Sequence, residues 1–357
     1  MLPYRGRCAP DVALAAVATA RVAGDPLWVY IVGPPSSGKT EVLRAFDGLP
    51  STYFLSSLTP NALISGLKDG RDLLPDLDRK TLIVKDLTQT LEMARENRDA
   101  LFGVLRDCFD GFASKAFGTV GTKSFVSHFN LVAAVTSAIE DYYTVQAVLG
   151  QRFVIVRTAF PDDFETDADR DIEAVRAEMR SLARAVIESV ADADPPNFAT
   201  ELVREVKGLA REVALLRTHV HRDGYSHEIT SLPEPEASAR ITNQLLKLAQ
   251  GLAIVRRKSE VTDEEIAVVR RVARDTVPGI RIRLLEAVSG GATTIDLIAM
   301  TTGLPRRTVE RKVEDLVILG ILLEDASSKP YVYTPAKDFV LLAPHPLDPP
   351  SKAEVIR

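Results

Sequence analysis

Gly33, Pro34, Pro35, Ser36, Ser37, Gly38, Lys39 and Thr40 follow one another and fit the pattern G-x-x-x-x-G-K-[ST]. These residue types at this spacing can hold the phosphates of a nucleotide. Glycine lets a backbone turn tightly and bring its N–H groups close to an anion. Lys39 would reach the β- and γ-phosphates, and the Thr40 hydroxyl would bind magnesium. Such a site also needs a carboxylate at the end of a neighbouring strand, to hold the magnesium through water. Asp86 supplies one, just after the apolar residues Leu82, Ile83 and Val84. Many nucleotide hydrolases place Glu directly after this Asp to activate water, but here Leu87 and Thr88 follow. Slow hydrolysis, a base from elsewhere and Asp86 acting itself all stay open. His219, His221 and His227 lie close in sequence, but no Cys or carboxylate completes a strong ligand spacing, so a polar loop is expected there.

The elements around these residues suit them. Apolar runs at 28–32, 52–55, 82–84, 131–135 and 153–156 are short, β-branched or aromatic, and separated by helical patterns. That spacing predicts an α/β fold, a parallel sheet with helices on both faces. The phosphate loop falls between the first run and a helix carrying Val42, Leu43 and Phe46. A helix N-terminus there favours negative charge. Residues 162–276 contain no convincing strand. They begin with Ile172, Val175, Met179 and Leu182 at helical period, and Thr262 with Glu265 reads as a capping box. The pattern gives an ATP-binding α/β domain at 1–161, a helical domain at 162–276, a smaller module at 277–342 and a flexible proline-rich tail at 343–357.

The chain has 357 residues, 46% hydrophobic and 26% charged. That excludes wholesale disorder and low-complexity architectures. No apolar run approaches a membrane span, and the first residues lack a signal-peptide pattern. Cys8 and Cys108 cannot form a disulfide framework, so a cytoplasmic location is expected. A net charge of −5 argues against coating nucleic acid with the whole surface, but leaves room for a local basic site.

With the phosphate loop, Asp86 and the following motifs falling in a familiar order along the chain, the chain resembles the AAA+ ATPases. Within them it is most similar to the minichromosome-maintenance (MCM) helicases and the shorter MCM-like ATPases of mobile elements. The resemblance covers about residues 29–278. It implies ATP and Mg2+ as cofactors, a helical lid at 162–276, and a homo-oligomer in the form of a hexameric ring. The hairpin-like stretch from Gly111 to Lys123 takes the place of a hairpin that such helicases project into their pore. Lys115 and Lys123 would then meet DNA phosphates. Thr136 occupies the sensor-1 position, where MCM proteins have Asn. Arg152 resembles the arginine that reaches the γ-phosphate held by the neighbouring subunit. Arg240 falls where the sensor-2 arginine would be.

The C-terminal module reads as helices at 280–288 and 293–299, a turn at Thr302, Gly303 and Leu304, and a third helix opened by Pro305. Ile321 to Leu323 and Tyr331 to Tyr333 suggest a two-stranded wing. The module looks like a winged helix, with Arg306, Arg307, Arg311 and Lys312 in the recognition helix. Three functions are compatible with all this. The first is an ATP-driven helicase or translocase on DNA. The second is an ATP-switched DNA-binding regulator without processive unwinding. The third is an ATPase loader or chaperone that docks a protein partner through the winged helix.

Overall fold

The structure is a computed structural model that describes residues 4–67, 70–118, 120–140, 152–158 and 171–343. The expected tail beyond 343 and the boundary at 161/162 lie outside the described residues. The strands β1 (Trp28–Val32), β2 (Thr52–Leu55) and β3 (Thr81–Val84) come first. Next come the hairpin strands β4 (Phe112–Phe117) and β5 (Gly121–Val126), then β6 (Asn130–Val135) and β7 (Val154–Arg157). Five of them form one sheet in the order β2-β3-β6-β1-β7, with every pair parallel. All C-terminal strand ends therefore lie along one edge of the sheet.

Successive strand residues point to opposite faces, and here both faces are buried. Val29, Ile31, Ile83, Val132, Ala134, Val154 and Val156 enter one apolar cluster. Trp28, Tyr30, Leu82, Val84, Leu131, Ala133 and Ile155 enter the other. This double burial is why the strands read as continuous apolar runs rather than as an alternation. In the second cluster Trp28 meets Phe109 edge-on with ring centroids 5.2 Å apart, and Tyr30 stacks on Phe153 at 3.8 Å.

The helix Tyr4–Ala18 is absent from the sequence reading. It packs against the sheet and the helix Ala239–Val255. Gly251 allows that approach, because a Cβ there would lie 2.5 Å from the Ala15 carbonyl oxygen.

The helical segment comprises Ile172–Ser189, Thr200–Leu216, Ala239–Val255 and Asp263–Thr276. The expected capping box forms at Thr262 and Glu265. The last of these helices is keyed to the edge strand β7. The Thr276 hydroxyl accepts the Ile155 N–H at 2.9 Å, and the Asp275 carboxylate accepts the Arg157 N–H at 2.8 Å.

The C-terminal module has helices Gly279–Ser289, Ile295–Thr302 and Arg306–Ile318, then the antiparallel strands β8 (Leu322–Asp325) and β9 (Val332–Pro335). Gly303 at φ 64 ends the second helix in the left-handed conformation that favours glycine. Polar ties join the module to the helical segment. The buried Arg281 donates to the carbonyls of Leu216 and Thr218, both at 2.7 Å. The Glu212 carboxylate accepts the N–H groups of Val340 and Leu341. One apolar cluster runs from Ala9 through the helical segment to Leu341. The change at 276/277 is thus a change of local architecture inside a shared core.

Two stability predictions follow from these contacts. Gly251→Ala should destabilise by about 1–3 kcal/mol through overpacking. Gly208→Ala, with nothing within 4 Å of its new Cβ, should stabilise by about 0.5–1 kcal/mol through helix propensity. Thermal unfolding separates the two, and equal melting temperatures would contradict the packing of Tyr4–Ala18. Burial raises the pKa of Glu265, but bonds from Arg256, Thr262 and Lys258 outweigh it and hold the carboxyl at about 2. A depressed carboxylate stabilises the fold above the usual carboxylate range and loses that contribution as pH falls toward 2. Glu265→Gln should therefore be less stable at pH 7 and lose less stability on acidification, as followed by denaturant midpoints.

Candidate nucleotide site

Residues 33–38 leave β1 and enter the helix Lys39–Arg44. Two left-handed residues shape the turn, Ser36 at φ 61 and Gly38 at φ 74. The N–H groups of Gly38, Lys39 and Thr40 fall at the helix start, where helix geometry offers them no carbonyl. Lys39 is buried. Its Nζ donates to the carbonyls of Gly33 and Pro34 at 2.7 and 2.6 Å and to Ser37 Oγ at 3.1 Å. Burial lowers the pKa of this ammonium, and the Asp86 carboxylate opposes the shift. A partly desolvated cation gains more from a phosphate than a solvated one does.

Gly33 is required by a neighbour that the sequence did not flag. Its Cβ would lie 2.3 Å from Thr158 Oγ1 and 2.8 Å from the Thr158 carbonyl oxygen. Thr158 follows β7, donates its N–H to the Val32 carbonyl at 2.7 Å, and sits 3.3 Å from Ser37 Oγ. The edge strand therefore forms one wall of the loop. Thr158 could have been noticed only as the residue directly after the last strand.

The central position of β6 brings Thr136 and Asp86 together. The Gly33 N–H donates to the Val135 carbonyl and the Leu87 N–H to the Ala134 carbonyl, so the ends of β1, β6 and β3 adjoin. Asp86 Oδ1 accepts the Thr88 N–H at 2.8 Å, and Thr88 Oγ1 accepts the Thr136 N–H at 3.1 Å. Thr88 is the bridge between the two expected residues, and its polarity beside Asp86 was its only signal. Leu87, directly after Asp86, is fully buried. Among the described residues, Lys39, Thr40, Asp86 and Thr136 thus line one edge of the sheet and fit a magnesium–nucleotide site. Lys39 would face the phosphates, while Thr40 and Asp86 would hold the metal. The adjoining Glu41 is held by Arg176 of the helix Ile172–Ser189, through two bonds of 2.8 Å.

Arg152 and Arg240 lie elsewhere. Arg152 precedes β7 and sits at the N-terminal strand edge, level with the start of β1. The register puts Arg152 level with Leu27, six residue steps from Gly33, about 20 Å. The Arg152 guanidinium lies 5.5 Å from the Phe109 ring centroid and pairs with Asp110 at 3.0 Å. Arg240 lies 5.8 Å from the same ring. Burial and the Arg240 charge lower the Arg152 pKa, against Asp110. Arg240 borders a cavity of about 700 Å3, together with Arg79, Asp110, His128, Glu236 and Lys247. The structure therefore groups the two arginines with each other and away from their own chain's Lys39.

The candidate DNA residues differ in their freedom. Lys115 and Lys123 face each other across β4 and β5. Like charges directly opposite repel, and each lysine has found other company. Lys123 pairs with Asp72 at 2.9 Å, and Lys115 Nζ lies 5.2 Å from the Phe117 ring. The hairpin's outward residues are instead Phe112, Ser114, Ala116, Thr122, Ser124 and Val126. In the module, Arg306 pairs with Asp296 and Glu310, and Lys312 with Asp315. Arg307 and Arg311 are exposed, with no acidic partner among the described residues. The rings of His219 and His221 lie 4.5 Å apart, and no group of three metal-ligating side chains occurs among the described residues.

Fold and site define a parallel α/β protein with a glycine-rich phosphate-type loop at the C-terminal sheet edge. Compared with known proteins, the sequence matches no family model and no curated protein. No helix among the described residues is long and apolar enough to cross a membrane.

The fit of the loop makes a direct test. Gly33→Ala should lower the melting temperature, as Gly251→Ala should, because its Cβ would lie 2.3 Å from Thr158 Oγ1. It should weaken binding of a fluorescent ATP analogue by about tenfold or more, since a well-packed site tolerates added methylenes poorly. Unchanged binding would remove the loop from the site.

Proposed function

We propose that the protein is an oligomeric AAA+ ATPase, similar to MCM-like helicases and translocases, that binds DNA. The observation that carries this reading is the separation of Lys39 from the Arg152–Arg240 pair. If these arginines, about 20 Å from their own phosphate loop, act on a nucleotide, it is one held by another copy of the chain. The insertion of β6 between β1 and β3 supports the same reading, because it sets Thr136 between the phosphate loop and Asp86.

In this account Lys39 and the helix-start N–H groups hold the phosphates, and Thr40 and Asp86 hold the magnesium. Bound Mg2+ supplies charge neutralisation on the β- and γ-phosphates. Thr136, whose N–H is tied to Asp86 through Thr88, would orient a water with its hydroxyl. Arg152 and Arg240 of one subunit would steady the charge that develops on the nucleotide of the next. The helical segment would act as the lid, carrying the C-terminal module as a winged helix. Arg307 and Arg311 would contact duplex phosphates.

One observation favours a second reading, an ATP-switched DNA-binding regulator. Leu87 fills the position where a carboxylate would activate water, and Asp86 accepts the Thr88 N–H while Thr88 Oγ1 accepts the Thr136 N–H. Turnover would then be slow, and nucleotide would set the assembly state.

ATPase rates without DNA, with single strands and with duplex, together with the mass in solution and unwinding of a forked duplex, decide between these readings. Unwinding supports the motor. ATP-dependent duplex binding without unwinding supports the switch. Arg152→Ala should keep nucleotide affinity within about threefold and lower turnover by about 100-fold or more. Mixing it with the equally inactive Asp86→Ala protein should restore part of the turnover. Absence of rescue, with both variants folded by circular dichroism, would overturn the shared site.

A further inference from the structure

Residues 221–230, between the helices Thr200–Leu216 and Ala239–Val255, form an ordered loop. A bridge joins Arg222 and Ile229, and the Thr230 N–H donates to the His221 carbonyl at 3.0 Å. The Asp223 carboxylate accepts the N–H groups of Tyr225 and Ser226 at 2.8 and 2.7 Å. At the tip Tyr225 is 96% exposed. Large aromatic side chains ordinarily gain by burial, so a hydrogen-bonded loop that presents one to solvent offers it to a partner.

Arg222 fixes where that tip stands. Its guanidinium donates to the His227 carbonyl at 2.9 Å inside the loop. It also reaches the helix Arg306–Ile318, at Asp315 (2.7 Å), Glu314 (2.8 Å) and the Arg311 carbonyl (3.3 Å). At about 100° per residue, positions 307, 311, 314 and 318 share one helix face. The loop is therefore stapled to the C-terminal end of the face that carries Arg307 and Arg311. Residues 307 and 314 are about 10 Å apart along the helix. The acids on this helix are already engaged, Glu310 by Arg306, and Glu314 and Asp315 by Arg222. Arg307 and Arg311 are left to set the sign of the face.

We propose that the loop 221–230 is a second nucleic-acid contact, with Tyr225 meeting the sugar-phosphate backbone of the duplex whose phosphates Arg307 and Arg311 engage. This rests on the DNA-binding reading above. An exposed tyrosine alone would suit a protein surface as well, and Asp223 and Glu228 of the loop are exposed, but Arg222 ties the loop to the helix that carries the exposed Arg307 and Arg311, which favours a polyanion. Tyrosine is among the side chains that contact phosphate and sugar, and such contacts fix register without reading sequence. The duplex would then grip the helical segment and the module together, through Arg222.

The test is fluorescence anisotropy on the full chain with a random-sequence 20-base-pair duplex across a salt series. Tyr225→Ala should weaken binding by roughly tenfold with the salt slope unchanged, because no charge is lost. Arg307→Ala should weaken binding and reduce the slope by about 1. Melting temperatures should match the parent, since both side chains are exposed. A parent that does not bind duplex overturns the DNA reading itself. A parent that binds, with Arg307→Ala weakened and Tyr225→Ala unchanged, overturns only the loop's role. A Tyr225→Ala protein that binds duplex normally yet loses a protein partner overturns it too.

Discussion

Parallel strand direction gives this sheet two chemically unlike edges, and the arrangement of every other group follows from it. At the C-terminal edge the chain leaves β1, β3, β6 and β7 in turns that bring Lys39, Asp86, Thr136 and Thr158 together. At the N-terminal edge the chain enters those strands, and Arg152 stands there beside Arg240 and Phe109. The strand backbone keeps the two groups apart within one copy, because a parallel ladder fixes the level of each residue against its neighbour. In the proposed reading this constraint is what makes the active unit an assembly.

The helical segment and the C-terminal module behave structurally as one block. Arg281 caps the end of the helix Thr200–Leu216 from the module, and Arg222 returns the tie from the segment to the helix Arg306–Ile318. Charge-assisted bonds of this kind are shorter and stronger than neutral ones. They sit on a shared apolar cluster rather than on a linker. At the other end of the block, Arg176 holds Glu41 next to Thr40, so the helix of the phosphate loop and the segment are joined by a bidentate pair. Two-pronged pairing fixes geometry as well as distance, which gives the block a definite seat on the loop.

Much of this was readable from local pattern. The five strands appear as apolar runs because both faces of the sheet are covered. The phosphate loop appears because its glycines, lysine and threonine are contiguous. The capping box at Thr262 and the turn at Gly303 are equally local. The helix Tyr4–Ala18 escaped because its alanine-rich face gives a weak period, and only packing against the Ala239–Val255 helix through Gly251 reveals its place. Thr88 and Thr158 escaped because the bonds that matter join them to residues distant in sequence. The basic residues were the least legible. Arg306 and Arg307 are adjacent and alike in sequence, yet Asp296, ten positions away, pairs with the first and not the second.

The sequence by itself determined the strands, the phosphate-type loop with its strand-end carboxylate, and the helix–turn–helix order of the last module. Each depends on residues within a few positions of one another, where backbone geometry dictates neighbours. Tertiary structure alone decided which charges are spent in internal pairs, which arginines share a face, and that Arg240 lies with Arg152 instead of Lys39. Those outcomes depend on through-space distances between segments tens to hundreds of residues apart, and Coulomb energy follows distance in space, which no spacing along a chain records.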